Sequence, residues 1–514
     1  MKLSKKILDF LEEHNSLKNY LLIVDVFLVT LAIISYNLGL LPFRNLGDFI
    51  FLLFIVFLFA LYRPGWSFLF FVGFIGIETI SLAPNEAGIM LRPYQIIGSL
   101  TFIALGIRLL SKRINFDLPK IIWQDWVLLV FSLAGFFSAM FSPSKGVSLK
   151  HSIIIFSFFA LYFLSRIFIQ NLKDIKKIIP IFLCSSFVIL LYSIWQNIRF
   201  LKGASHFEVM PGRPNGTFSE ADWLGIFVAF LLSVLHVISY SLYKKINFNE
   251  ISYLPRDFFK AFFVWVMIIA SYVVLIMTAS RSAWLGAGIV AAIFLAYVLR
   301  EKRYILIGFT LGSFLFGVGL VYVFNLTNFE LGNRIQSTGS GKQEITISCA
   351  SDENLPNFVE NINELKTHGC RHINLEEIAA EKLKERTVLR IYRNDPNVSI
   401  RSEIYKKSWE EIRKSPIVGI GWGNISGILG KDGRGAGLNS SNIFLEIWLG
   451  AGLIGLIAFL IFLGNIFYKI FEATGEWRLF LALSLMAILI PNLFNAGIML
   501  GFLWVYLAIT QIKN

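Results

Sequence analysis

The sequence predicts an all-α polytopic membrane protein of about 12–14 transmembrane helices, with one large extracytoplasmic loop containing a small α/β insertion. Three observations carry this reading. The 514 residues are 56% hydrophobic and only 16% charged, whereas a soluble chain of this length needs far more charged surface. Apolar runs of roughly 17–25 residues recur along the chain, each long enough to cross a bilayer as a helix. These runs do not alternate in polarity, which excludes a β-barrel. In lipid every backbone N–H and C=O must be bonded internally, so helices are the expected spans. Finally, only residues 325–442 form a long polar stretch.

Fourteen apolar segments follow in order: 20–40, 48–62, 66–82, 94–110, 123–142, 149–166, 178–200, 223–242, 260–279, 283–299, 304–324, 443–467, 478–491 and 494–510. The segments 48–62, 66–82, 478–491 and 494–510 are short enough to be half-helices or re-entrant elements. The start of the chain, with Lys2, Lys5, Lys6 and Lys18, has no small-residue cleavage site and reads as an uncleaved leader to the first span.

Basic residues gather in alternate loops, at Arg108, Lys112, Arg113 and Lys120, at Arg166, Lys173, Lys176 and Lys177, and at Arg300, Lys302 and Arg303. By the positive-inside rule both termini are expected in the cytoplasm. The loop 325–442 then faces outward, together with Arg92, the 201–222 loop and the tight 280–282 turn. The net charge is +13, but the long loop holds 16 basic and 15 acidic residues. The excess therefore lies in short topogenic loops, and a nucleic-acid partner is not expected. The expected organisation is 1–324 as N-terminal transmembrane helices, 325–442 as the loop and 443–514 as C-terminal transmembrane helices.

Within the loop, 344–393 reads as a strand (ITISCA), a helix (NLPNFVENINELKTHG), a strand (CRHINL) and a helix (EEIAAEKLKERTV). Residues 400–415, with Ile404, Trp409 and Ile412, read as an amphipathic helix. Cys349 and Cys370 fall on the two candidate strands, where a disulfide and two free thiols are both open readings. Cys184 lies in a span and reads as packing.

Arg281, in MTASRSAWLGAG, sits between two spans joined by almost no loop. A guanidinium there either snorkels to the interface or meets an anion, and its fork suits phosphate. Arg213 lies in MPGRPNGTFSEADWLG, a turn-rich segment that runs into a helix start bearing Glu220 and Asp222. A loop arginine is ordinarily solvated, and Arg334, Arg401 and Arg434 are weak candidates singly. Asn442 and Glu446 share one helix face at the start of NIFLEIWLGAGLIGLIAFL, and Glu446 is that span's only acid. The six histidines form no metal spacing, and no P-loop, dinucleotide fingerprint, G-x-S-x-G or HExxH occurs.

TASRSAWLG, RPNGTFSEADWLG, the run Arg401, Trp409, Pro416, Gly419, Gly421 and Gly423, and SSNIFLEIWLGAGLIGL together resemble the O-antigen ligase and polysaccharide polymerase family. The resemblance spans roughly residues 210–460 and implies a GT-C-like glycosyltransferase of the bacterial inner membrane. It implies a donor glycan on undecaprenyl diphosphate, an acceptor glycan, lipid or protein, membrane lipids as surroundings, and no metal or cofactor. The family's essential arginines would map to Arg281 and Arg213. Either Glu446, Glu220 or Asp222 would orient the acceptor, with Glu446 taken as the catalytic carboxylate, or the arginines suffice; Arg401, Arg334, Ser441, Asn442, Gly421 and Trp284 would touch substrate. Ligases of this family carry a histidine where this chain has Ser441, and a serine hydroxyl is a poor general base. That departure favours a polymerase over a ligase to lipid A core or to protein. The alternative is a transporter of polysaccharide lipids, against which stand the lack of an internal repeat and the gathering of charges at one face. A structural or sensory membrane protein would leave the arginine motifs unexplained.

Overall fold

The computed structural model describes residues 15–88, 90–112, 118–202, 213–245, 255–327, 341–350, 357–360, 362–373, 378–394, 396–430 and 438–512. It divides into two compact units, residues 1–320 with 411–514, and residues 321–410.

The membrane unit is helical. Its helices are α1 (Asn15–Asn37), α2 (Leu46–Tyr62), α3 (Pro64–Gly73), α4 (Pro93–Leu110), α5 (Trp123–Phe141), α6 (Lys145–Phe168), α7 (Leu172–Leu201), α8 (Ala221–Lys245), α9 (Pro255–Met277) and α10 (Arg281–Arg300). Helix α11 (Tyr304–Val323) leads out of it. Ten helices among the described residues are long and apolar enough to cross a membrane. The four segments expected to be short prove to be so, or nearly so: α2 has 17 residues and α3 has 10. The remaining two close the chain and are labelled below.

Where helix is abandoned, other groups satisfy the backbone. The chain leaves α3 through a 3-10 turn, Phe74–Gly76, and re-enters helix at Pro93. Between them the Glu78 and Thr79 amides both donate to the Thr217 carbonyl at 2.8 Å. Irregular backbone at membrane depth is tolerated when protein supplies such partners. The later helix Ile443–Glu472 breaks at Gly452, whose φ is 66°. The 417–421 segment fills the break: Ile420 and Gly421 donate to the Leu449 carbonyl at 2.8 and 3.1 Å, and Leu453 donates to Ile417 at 3.0 Å. Trp422 is then fully buried, edge-on to Phe131, in room left by Gly135 and Gly450.

The second unit holds a four-stranded sheet of β1 (Lys342–Cys349), β2 (Phe358–Val359), β3 (Cys370–His372) and β4 (Thr387–Asn394), in spatial order β2-β4-β1-β3. β1 pairs antiparallel with β3 and β4, and β2 pairs parallel with β4. Cys349 and Cys370 face each other in register and are joined by a disulfide. Ile345, Ile347, Val359, Leu365 and Ile391 complete the core around them. The expected first helix is here a 3-10 turn, Ile362–His368, and the second is the short α12 (Ile378–Leu383). Residues 387–394 form a strand that the sequence reading lacked. TVLRIYRN is rich in β-branched and aromatic residues, and it pairs along the whole of β1. The amphipathic helix is present as α13 (Pro396–Lys414), with Ile404 and Ile412 buried but Trp409 exposed.

The chain closes with α14 (Ile425–Leu429), α15 (Ile443–Glu472), α16 (Gly475–Asn492) and α17 (Gly501–Ile509).

Candidate functional site

The tight turn between α9 and α10 is the centre of the site. Ala279 adopts φ 50°, a left-handed conformation uncommon for a residue with a Cβ. Arg213 secures this turn from another segment. Its Nε donates to the Thr278 carbonyl at 2.7 Å, and its outer nitrogen pairs with Asp222 at 2.9 Å. Arg281 follows as the first residue of α10, half-buried. The structure therefore brings the Arg213 guanidinium to the carbonyl three residues before Arg281. Part of the Arg213 charge is already balanced by Asp222.

The segment carrying Arg213 is itself immobilised. The Gln196 amide spans Asn215 (3.0 Å) and the Gly216 N–H (2.9 Å), while the Thr217 hydroxyl donates to the Gly76 carbonyl at 2.7 Å. Small residues let α10 pack closely, as membrane helices require. A Cβ on Gly225 would lie 2.7 Å from that of Ala283, and one on Gly286 would lie 2.7 Å from Pro491. Trp284 is half-buried and donates its ring N–H to the Leu275 carbonyl at 2.7 Å, tying the two helices across the turn.

A chain of hydrogen bonds runs from α10 to the start of α15. Asn495 donates to the Ser282 hydroxyl at 2.9 Å and to the Pro491 carbonyl at 3.0 Å. Two residues on from Pro491, the Leu493 carbonyl accepts from the Asn442 amide at 3.0 Å. Asn442 also caps α15, accepting from the Phe444 and Leu445 amides. Glu446 accepts from the Ser440 amide (2.9 Å) and hydroxyl (2.7 Å), both on Oε2. Ser441 stands between them at φ 51°, its amide bonded to Asn439. Arg213, Arg281, Ser441, Asn442 and Glu446 thus lie at one end of the helices, linked through α16.

Sequence reasoning missed the most deeply buried carboxylate at this end. Glu78 is fully buried. It accepts from the Tyr94 hydroxyl at 3.0 Å and the Gly501 amide at 2.8 Å, and it pairs with Arg92 Nε at 2.8 Å. The same Arg92 nitrogen lies 2.8 Å from the Glu78 carbonyl oxygen. Because the Glu78 amide is bonded to Thr217, this cluster braces the Arg213 segment. An acid inside an apolar run was the signal for it.

The other candidates lie elsewhere or outside view. Gly421 has φ 85°, and a Cβ there would collide with the Ser148 side chain, so its smallness serves packing in this structure. His151, next to Gly423, donates from its imidazole Nδ1–H to the Val147 carbonyl at 2.9 Å. Arg401 is on α13 in the second unit, half-buried. Arg334 and Arg434 lie outside the described residues. Among the described residues, no three His, Cys, Asp or Glu side chains are grouped to hold a metal.

A bundle of helices long and apolar enough to cross a membrane, with Arg213 bonded to the Thr278 carbonyl and Arg281 opening the next helix, defines the class: a polytopic membrane protein with two arginines at one inter-helix turn. Residues 262–460 match the family model described as O-antigen ligase, and this match supports the O-antigen ligase family for the chain. The matched stretch contains Arg281, Ser441, Asn442 and Glu446, but not Arg213. No curated protein and no solved structure matches the chain. The family supports O-antigen ligase- or polymerase-like membrane glycosyltransferase activity, with a lipid-linked glycan and an acceptor as the general partners.

Proposed function

We propose that the protein polymerises glycan units carried on undecaprenyl diphosphate, at the extracytoplasmic face of a bacterial inner membrane. The observation that carries this is the Arg213 bond to the Thr278 carbonyl, three residues before Arg281. In the reaction the anomeric C–O bond to the diphosphate breaks and a bond to the acceptor hydroxyl oxygen forms. Negative charge grows on the leaving diphosphate. Fixed guanidiniums at a low-dielectric boundary stabilise that charge without having to reorganise. Arg281 supplies the principal charge, and Arg213 holds the turn and adds to the field.

The acceptor proton needs a base. Glu446 suits this role: both Ser440 bonds fall on Oε2, so Oε1 is left to receive the hydroxyl proton. Trp284, Ser441 and Asn442 are assigned to substrate contact. The Cys349–Cys370 disulfide suits an oxidising, extracytoplasmic location for that loop. Ser441 at the loop–helix junction favours polymerisation over transfer to lipid A core or protein.

Cells in which Arg281→Ala replaces the native protein should make no polymer, with the protein present at normal levels and single lipid-linked units accumulating outside. Arg281→Lys should restore little, since an ammonium lacks the fork. Normal chain length in Arg281→Ala would sink the reading. Units trapped on the cytoplasmic side would instead identify a transporter.

A further inference from the structure

Away from the Arg281 turn the helix bundle contains a cavity lined by none of the residues assigned above to glycan transfer. It has a volume of about 440 Å³ and opens among α7, α8, α16 and α17, with Lys260 of α9 at its edge. Its walls are apolar, including Phe182, Val234, Phe480 and Phe502. Its charged lining residues are Lys176, Lys260 and Glu476. At ~1.5 Å per residue along α9, Lys260 stands roughly 25 Å from the Arg281 turn.

The lysines are placed as a rim. Lys176 lies in the second turn of α7 and Lys260 in the second turn of α9, and both are exposed. The apolar walls lie further along the helices: Phe182 on α7, Val234 on α8 and Phe502 on α17. Glu476 stands at the same end, in the first turn of α16, so two lysines face one carboxylate and the end is net positive. A net-positive end and a long apolar interior match an amphiphile with an anionic head. Basic pockets between transmembrane helices recognise acidic lipid headgroups in this way. A volume of this size falls within the range of small-molecule sites.

We propose that this cavity binds one acidic glycerophospholipid from the leaflet at that end, its phosphate at Lys176 and Lys260 and an acyl chain along Phe182, Val234 and Phe502. Lipid in this position would bridge α7, α8, α16 and α17, and so steady helices whose other ends carry the arginine site. On the proposed function the lipid-linked glycan does not take this role, because its diphosphate is assigned to the far end with Arg281.

The test uses the full-length protein in neutral detergent. Thermal unfolding is followed with phosphatidylglycerol, with phosphatidylcholine of the same chains, or with a polyprenyl phosphate. Phosphatidylglycerol should raise Tm by several degrees more than phosphatidylcholine, and native mass spectrometry should show one retained phosphatidylglycerol. The double variant Lys176→Gln/Lys260→Gln should abolish the difference between the two lipids, and Val234→Trp, which fills the cavity, should lose the retained lipid. Equal shifts from both phospholipids, a difference that survives the double variant, or a preference for polyprenyl phosphate would each overturn the proposal. Both lysines are exposed, so their loss should not itself unfold the protein.

Discussion

Two buried carboxylates, one in each unit, are held in opposite ways. Glu78 takes its partners from distant parts of the membrane unit: Arg92 and Tyr94, 14 and 16 residues on, and Gly501, 423 residues on. Glu381, on α12, takes its partners from close by in the second unit. Ser348 donates at 2.8 Å, Arg371 and Lys384 pair at 3.0 Å, and Arg386 approaches at 3.6 Å. The first carboxylate ties together helices that belong to one end of a bundle. The second closes a small sheet on itself beside its disulfide. A charge that links remote helices makes the site depend on the whole unit, whereas a local one allows its unit to be altered alone.

The largest break in this comparison should come from Glu78→Ala. Removing one partner of a buried ion pair typically costs about 3–5 kcal/mol, and Arg92, whose side chain is only 13% exposed, would keep its charge without its carboxylate. Thermal unfolding in detergent should show a strongly lowered Tm, and glycan polymerisation should fall with it because Thr217 and the Arg213 segment lose their brace. Wild-type stability and activity in this variant would contradict the claim that Glu78 organises the site.

A smaller and separable loss is expected from Cys349→Ser/Cys370→Ser. The bond spans 21 residues, and loop-closure reasoning gives roughly 3 kcal/mol for a loop of this size. Hydrogen exchange on the full-length protein should speed up in β1, β3 and β4. Exchange in α8 and α10 should stay as in the wild type. Loss of protection in both units at once would show that the second is not self-contained.

Acid should act on the second unit by the same logic. Hydrogen bonds from Arg371, Ser348 and Lys384 lower the Glu381 carboxyl from its ordinary value to about 2. A carboxyl with a depressed folded pKa contributes stability that is complete above its unfolded pKa, near 4.5, and is lost as pH falls toward the folded one. Exchange protection in α12 and β4 should therefore decline between about pH 4.5 and pH 2. In Glu381→Gln the decline over that window should disappear. A decline that persists in the variant would assign it to other groups.

How much of this was legible follows from the same contrast. The spans were readable because lipid imposes one pattern, a long apolar run, and even the four short segments stood out by length. Arg213 and Arg281 were readable as charges at helix ends. Their junction was not, because it depends on the Thr278 carbonyl, a backbone atom without a sequence signature. Glu78 was hidden inside the expected 66–82 segment, and only its pairing with Arg92, beyond that segment, shows why an acid is tolerated there. In the second unit the strand 387–394 was obscured by the helix-forming run before it. Its pairing with β1, some forty residues earlier, decided the outcome.

The smallest structural effect should come from Asp222→Asn, and it separates positioning from charge at the arginine site. The Arg213–Asp222 pair is half-buried, with side chains 17% and 21% accessible, and the substitution leaves an acceptor in place, so the cost in stability should be smaller than that of emptying the Glu78 position. Asparagine can still accept the Arg213 bond through its side-chain oxygen, so the turn should keep its shape. What changes is the net charge beside Arg213, which rises by one. If the guanidinium attracts a diphosphate, the donor should then bind more tightly, and KM for the lipid-linked donor should fall about two- to tenfold at nearly unchanged kcat. A KM that stays the same would restrict Arg213 to holding the Thr278 carbonyl. A collapse of kcat would instead make Asp222 a participant in proton transfer, in place of Glu446.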